Sequence, residues 1–101
     1  MIGAGIPNDR RREVYRRDGW RCALCDCSDG IQIHHCMPRG EGGSDFPENL
    51  ITLCWRCHAA AHGTDVVGFG MTPKQLEAMM HQECVEYLAD YYAESGWYPW
   101  K

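Results

Sequence analysis

The chain has 101 residues, 45% hydrophobic and 24% charged, which is one domain's worth of chain and excludes wholesale disorder. No apolar run approaches the roughly 20 residues of a membrane span, and no basic stretch followed by an apolar one precedes Asn8, so neither a membrane anchor nor a secretory leader is expected and the cytoplasm is the expected location. The formal net charge of −4 argues against a nucleic-acid partner, but the charge is unevenly spread: residues 1–63 are balanced, residues 64–101 hold the whole deficit, and six of the ten basic residues fall between Arg10 and Arg21.

Taken in chain order, residues 8–18 read as a helix, with Asn8 or Asp9 as N-cap after Pro7 and Gly19 as its stop. Arg10, Arg11, Arg12, Arg16 and Arg17 occupy more than one face, so part of this helix is solvated or faces an anion. Residues 32–35 read as a strand, with Ile31 and Ile33 alternating inward. Residues 37–49 contain Pro38, Gly40, Gly42, Gly43 and Pro47 and form a loop, long for so small a domain and therefore expected to be functional. A second strand is expected over residues 50–53 and a helix over 55–62, closed by Gly63. Thr72-Pro73-Lys74-Gln75 then opens a long helix with an N-cap, a first-turn proline and a capping-box glutamine. Leu76, Met80, Tyr87, Leu88 and Tyr91 recur at helical spacing as a face for the core or for a second copy, and Gly96 is the expected stop. Trp97, Tyr98 and Trp100 follow as a cover for the core, a dimer contact or stacking groups.

Seven cysteines are an odd count for a disulfide framework. Four of them form two knuckles, Cys22-x-x-Cys25 and Cys54-x-x-Cys57, the donor set of one tetrahedral structural zinc. The 28 residues between the knuckles exceed those of a simple zinc ribbon, so something else is built there. Cys27, Cys36 and Cys84 remain, as small buried hydrophobes or, for the first two, as further ligands. Four of the five histidines cluster in the same region. His58 and His62, one helical turn apart, converge on one metal, and His34 at a strand end is a third donor. Three imidazoles leave positions open on the ion, the pattern of a catalytic site. His35 beside them has the side chain that titrates near neutral pH and can take a proton from water.

From Arg12 to His62 the chain resembles the HNH endonuclease family. The residues that carry the likeness are Arg17-Asp18-Gly19, Cys22-x-x-Cys25, His34-His35, Pro38-Arg39-Gly40, Gly42-Gly43, Asn49-Leu50, Leu53-Cys54-x-x-Cys57-His58 and His62. The resemblance implies an α+β fold: a small ββα-metal (His-Me finger) core with a structural zinc, an N-terminal helix and a long C-terminal helix. It makes residues 1–101 a single nuclease domain, with a core over 8–63 and a helical extension over 72–96.

The same resemblance assigns roles. His35 corresponds to the general base and Asn49 to the residue that pins the loop so that His35 faces the phosphate. His34, His58 and His62 correspond to the ligands of one catalytic divalent ion, with Mg2+, Mn2+, Ni2+ and Zn2+ all candidates. Cys22, Cys25, Cys54 and Cys57 correspond to the zinc site of the cysteine-bearing branch. Arg39 either holds a non-bridging phosphate oxygen or is a solvated turn arginine. Arg10, Arg11, Arg12 and Arg16 are candidate contacts to DNA phosphates, with Arg17 divided between that role and a structural one. The expected activity is metal-dependent hydrolysis of DNA phosphodiesters by a monomer or homodimer, in the manner of small phage proteins that work beside a packaging or other protein partner. The rival reading is a zinc-stapled DNA- or protein-binding module without turnover, which would need none of the histidines.

Overall fold

A computed structural model describes residues 6–66 and 68–93. Gly96 and the aromatic residues Trp97, Tyr98 and Trp100 lie outside the described residues. Helix α1 spans Asn8–Arg17, and its N-cap is Pro7 rather than Asn8 or Asp9. Proline's restricted φ already holds the extended backbone that a cap requires, so the Pro7 carbonyl accepts the Arg11 N–H at 3.0 Å. The Asp9 carboxylate is instead taken by the Arg10 N–H.

Strands β1 (Gln32–His35) and β2 (Leu50–Leu53) pair antiparallel, with Gln32 opposite Leu53 and His35 opposite Leu50. All four β2 residues are buried, whereas Ile33, His34 and His35 of β1 are each half-buried and Ile31 precedes the strand. The expected clean alternation is therefore absent, because both faces of β1 carry partial cover. The intervening loop contains two 3-10 turns, Arg39–Glu41 and Pro47–Asn49. At Gly43 the chain doubles back on itself: its N–H donates to the Pro38 carbonyl at 2.9 Å, and a Cβ there would collide with the Met37 carbonyl. Only glycine allows this approach.

Helix α2 covers Trp55–Ala61, so His62 is its C-cap, and Gly63 closes it in the left-handed conformation at φ +88°. Helix α3, Pro73–Tyr91, has both bonds of the expected capping box between Thr72 and Gln75. Its buried stripe is Leu76, Met80, Cys84 and Leu88. Cys84 thus stands where the sequence pattern suggested Tyr87 and Tyr91. The four residues are spaced by four along one face, each burial contributing on the order of 1–3 kcal/mol. Tyr91 is 55% exposed, and Tyr87 is half-buried because its hydroxyl turns to Asp18. Cys22, Cys36, Ile51, Leu53 and Cys54 join Cys84 and Leu88 in one core cluster; Ala60, Leu76 and Met80 form another between α2 and α3. Among the described residues no helix is long and apolar enough to cross a membrane.

Asp18, 6% exposed at the end of α1, ties these layers together. Its carboxylate accepts from Arg17 Nε (2.8 Å) and Nη2 (2.9 Å), the Thr52 N–H (2.9 Å) and the Tyr87 hydroxyl (2.8 Å). Arg17 also donates to the Pro47 and Leu50 carbonyls and to the Tyr92 hydroxyl. Burial alone would lower the Arg17 pKa, but the Asp18 carboxylate outweighs it and the net shift is upward. Of the two readings of Arg17, the interior one is the structure's: its side chain is 5% exposed.

Candidate active site

His34, on β1, and His58 and His62, on and just after α2, face one another. Their ring centroids are 5.2, 5.3 and 4.9 Å apart, and one ring nitrogen from each lies within 4.8 Å of the others. The pairing of β1 with β2 and the immediate turn from β2 into α2 bring the three rings together. Burial lowers the His34 pKa to about 3, helped by His58, His62, His35 and His81; burial and then His62 lower that of His58. These rings stay neutral, the form that ligates metal. The His58 Nδ1 is paired with the Gln32 carboxamide oxygen, and its Nε2 lies 3.3 Å from that of His62. If Nδ1 carries the proton, Gln32 accepts it and the Nε2 lone pair of His58 faces its neighbour, the orienting arrangement common behind metal-bound histidines. Three convergent imidazoles with an oriented partner fit a divalent cation.

His35 follows His34 on β1 but stands outside this trio. Its Nε2 lies 2.7 Å from Asp45 Oδ1. Arg39 grips the same carboxylate twice, Nε to Oδ1 and Nη2 to Oδ2, each at 2.9 Å. Arg39 and then His35 hold the Asp45 pKa below the usual carboxylate range. Arg10 Nη1 donates to the Asp45 backbone carbonyl at 3.2 Å, and its guanidinium sits 4.9 Å from the Phe46 ring centroid. Two of the cations expected to face an anion are therefore already engaged on this loop. Arg11, Arg12 and Arg16 are exposed on α1 and, among the described residues, form no ion pair.

Asn49 is fully buried at the far end of the loop. Its Oδ1 accepts the Met37 N–H at 2.8 Å, while Nδ2 donates to the carbonyls of Met37 (3.0 Å) and Ser44 (2.8 Å). Its own carbonyl accepts the Cys36 N–H at 2.8 Å. One side chain thus closes the loop that carries Arg39 and Asp45.

A cleft of about 650 Å³ opens beside the histidines. His34, His35 and His62 line one side, and Lys74, Glu77 and His81 of α3 line the other. Sequence reasoning missed these three, although their three- and four-residue spacing marks one helix face. It also missed Gln32, which the period-two rule puts on the same strand face as His34. Asp45 carried no comparable signal beyond its place in a long loop.

The sulfurs of Cys22, Cys25, Cys54 and Cys57 lie within 4.8 Å of one another. Burial pushes the thiols of Cys25 and Cys57 up. For Cys54 burial is outweighed by the Cys57 N–H that donates to its sulfur, and its pKa falls to about 7. Four converging sulfurs, one pre-oriented by a backbone donor, fit a tetrahedral metal. Cys27 lies outside the group, and its sulfur accepts from Arg56 Nη2 at 3.1 Å and the Asp29 N–H at 3.4 Å. Cys36 and Cys84 are buried in the core, which pushes Cys36 up to about 11 and Cys84 higher still.

Comparison with known proteins bears on this site. A family model described as HNH endonuclease matches residues 22–64, which hold both knuckles, all four histidines and the loop. Anaredoxin of Nostoc sp. (strain PCC 7120) is 32% identical over 53 residues, 52% of this chain and 70% of the relative. The probable mobile endonuclease C of Enterobacteria phage T4 is 46% identical over 33 residues. The type IV methyl-directed restriction enzyme EcoKMcrA of Escherichia coli (strain K12) is 36% identical over 39 residues. The matches cover 16% and 14% of these last two proteins, so the likeness is to a small part of each.

Proposed function

The chain belongs to the HNH endonuclease family, and on that premise we propose that it is a metal-dependent DNA endonuclease. The observation that carries the reading is the convergence of His34, His58 and His62 within 4.8 Å, with His35 next to His34 on β1. A pure binding module has no use for three imidazoles converging on one point next to a fourth histidine. His34, His58 and His62 would hold a divalent ion, which would supply positive charge for the phosphoryl oxygens and the departing 3′ oxygen. Cys22, Cys25, Cys54 and Cys57 would hold a zinc whose part would be structural, stapling the first knuckle to the β2–α2 junction.

The remaining steps belong to this chain's own residues. His35 takes a proton from water, and the hydroxide so formed attacks phosphorus. The bond from phosphorus to the 3′ oxygen breaks, and a proton taken from solvent water completes the 3′-hydroxyl beside a 5′-phosphate, while His35 returns its own proton to solvent. Asn49 holds the loop in place so that His35 and the phosphate keep their geometry. Arg39, 41% exposed while paired with Asp45, presents a guanidinium to a phosphate oxygen near the scissile bond. Arg11, Arg12 and Arg16 bind backbone phosphates without reading sequence, and Arg10 contributes through the loop that it braces. The whole chain acts as one nuclease domain with its core over 8–63 and a helical extension from residue 72.

Cleavage of supercoiled plasmid tests the proposal, with no added metal and with Mg2+, Mn2+, Ni2+ or Zn2+, and with His35→Ala in parallel. Metal-dependent nicking that disappears in the folded, zinc-loaded variant supports the nuclease and the base. A folded wild type that binds DNA but cleaves under none of these metals overturns the nuclease in favour of a binding module.

A further inference from the structure

Family roles leave Asp45 without a use, yet its side chain makes three polar contacts, as many as the buried Asn49. Its Oδ1 lies 2.7 Å from His35 Nε2, and both its oxygens are held by Arg39 at 2.9 Å. Its backbone carbonyl is held by Arg10 at 3.2 Å. The following residues, Pro47–Asn49, form a 3-10 turn whose Pro47 carbonyl accepts from the buried Arg17 at 2.8 Å. Asp45 is therefore anchored from both sides and aimed at one ring nitrogen of His35. Its side chain remains 33% exposed, so burial alone does not explain the arrangement.

We propose that Asp45 is the positioning residue for His35: its carboxylate accepts the Nε2–H of the ring and so leaves the Nδ1 lone pair as the atom that takes the proton from water. This rests on the nuclease reading for its consequence but not for its geometry. A neutral imidazole carries one proton on either of two nitrogens, and a base with the proton on the wrong one cannot act. An ionised carboxylate only accepts, so beside Nε2 it selects the tautomer protonated there. Arg39 has a part in this too. Its two bonds stop the carboxylate from rotating away from the ring. The Arg39–Asp45–His35 chain then does for this base what a buried acid does for the histidine of a hydrolytic triad, except that the acid here is braced by a cation rather than by burial. When the ring becomes imidazolium, the same carboxylate stabilises the new charge.

The variants are Asp45→Ala and Asp45→Asn, studied as full-length zinc-loaded protein. Asparagine is isosteric, which keeps the test available if alanine unfolds the loop. Its amide can turn an NH2 toward Nε2 and favour the opposite tautomer, so it is expected to be at least as damaging as alanine. Nitrogen-15 chemical shifts of the His35 ring, read at a pH where it is neutral, report the tautomer directly. The expected result is an Nε2–H ring in the wild type, a mixed tautomer in Asp45→Ala, and a reversed one in Asp45→Asn when its NH2 faces the ring. With plasmid substrate, kcat falls roughly 10- to 100-fold, the range typical when an orienting partner is lost, while KM and zinc content stay the same. An unchanged tautomer in Asp45→Ala, which has no acceptor to offer the ring, overturns the proposal, and so does an unchanged kcat of either variant in a cleaving enzyme. If the wild type cleaves nothing, the nuclease reading falls, and the ring-nitrogen shifts still decide whether Asp45 orients His35.

Discussion

Replacing Asn49 by alanine is the sharpest test of how the loop is held. The side chain is fully buried and makes three hydrogen bonds to backbone groups of residues 37 and 44, twelve and five positions away. Alanine removes all three and leaves one N–H and two carbonyls in search of partners. At about 1 kcal/mol net per bond the loss is roughly 3 kcal/mol. Met37 and Ser44 are half-buried, so water can reach part of what is exposed, and the larger penalty of fully buried orphans is not expected. Urea denaturation of the zinc-loaded protein measures the loss as a lower midpoint at constant slope. Asn49→Asp is the companion variant: it has the same shape, but it sets carboxylate oxygen against two carbonyls and is expected to cost at least as much. Plasmid cleavage is expected to fall in both, since the pinned loop carries Arg39 and Asp45. A loss below about 1 kcal/mol in both variants would refute the view that Asn49 closes the loop.

Other perturbations have equally definite signs. Arg17→Ala leaves the buried Asp18 carboxylate without its cation and is expected to cost about 3–5 kcal/mol in urea denaturation; a loss under 1 kcal/mol means that the pair is not the clamp described. The Thr52 hydroxyl is buried with no hydrogen-bond partner among the described residues, so Thr52→Val is expected to be neutral or stabilising by about 1 kcal/mol, and a clear destabilisation contradicts this. His34 titrates at about 3 in the fold and near 6.5 when unfolded, so below pH 6.5 the unfolded chain binds the extra proton. Stability of protein carrying zinc only on its cysteines should therefore decline as pH falls from 7 toward 4.5. The decline should be shallower in His34→Gln, and equal slopes would exclude the histidine as its source. Changing Arg11 and Arg12 to alanine is expected to reduce the salt dependence of DNA binding by about 1.8 in log–log slope, two phosphates' worth. An unchanged slope removes α1 from the DNA-binding face.

Much of this protein is determined locally. The strand bounds, the long loop, the capping box at Thr72 and the two cysteine knuckles follow from turn chemistry, period and spacing within a few residues. The same holds for the site's donors: His58 and His62 share a helix face by arithmetic, and the chemistry of imidazole and thiol restricts what they can bind. Tertiary structure decided which groups are already occupied. Nothing near Arg17 in sequence says that its guanidinium reaches residues 47, 50 and 92, or that Arg39 and Arg10 meet on Asp45. Whether a charged side chain is free for a ligand or held within the fold depends on partners tens of residues away, and local pattern carries no record of them. The same reason put α3 across the cleft from the histidines: a helix rotates to bury its best-fitting face against a core that only the folded chain assembles.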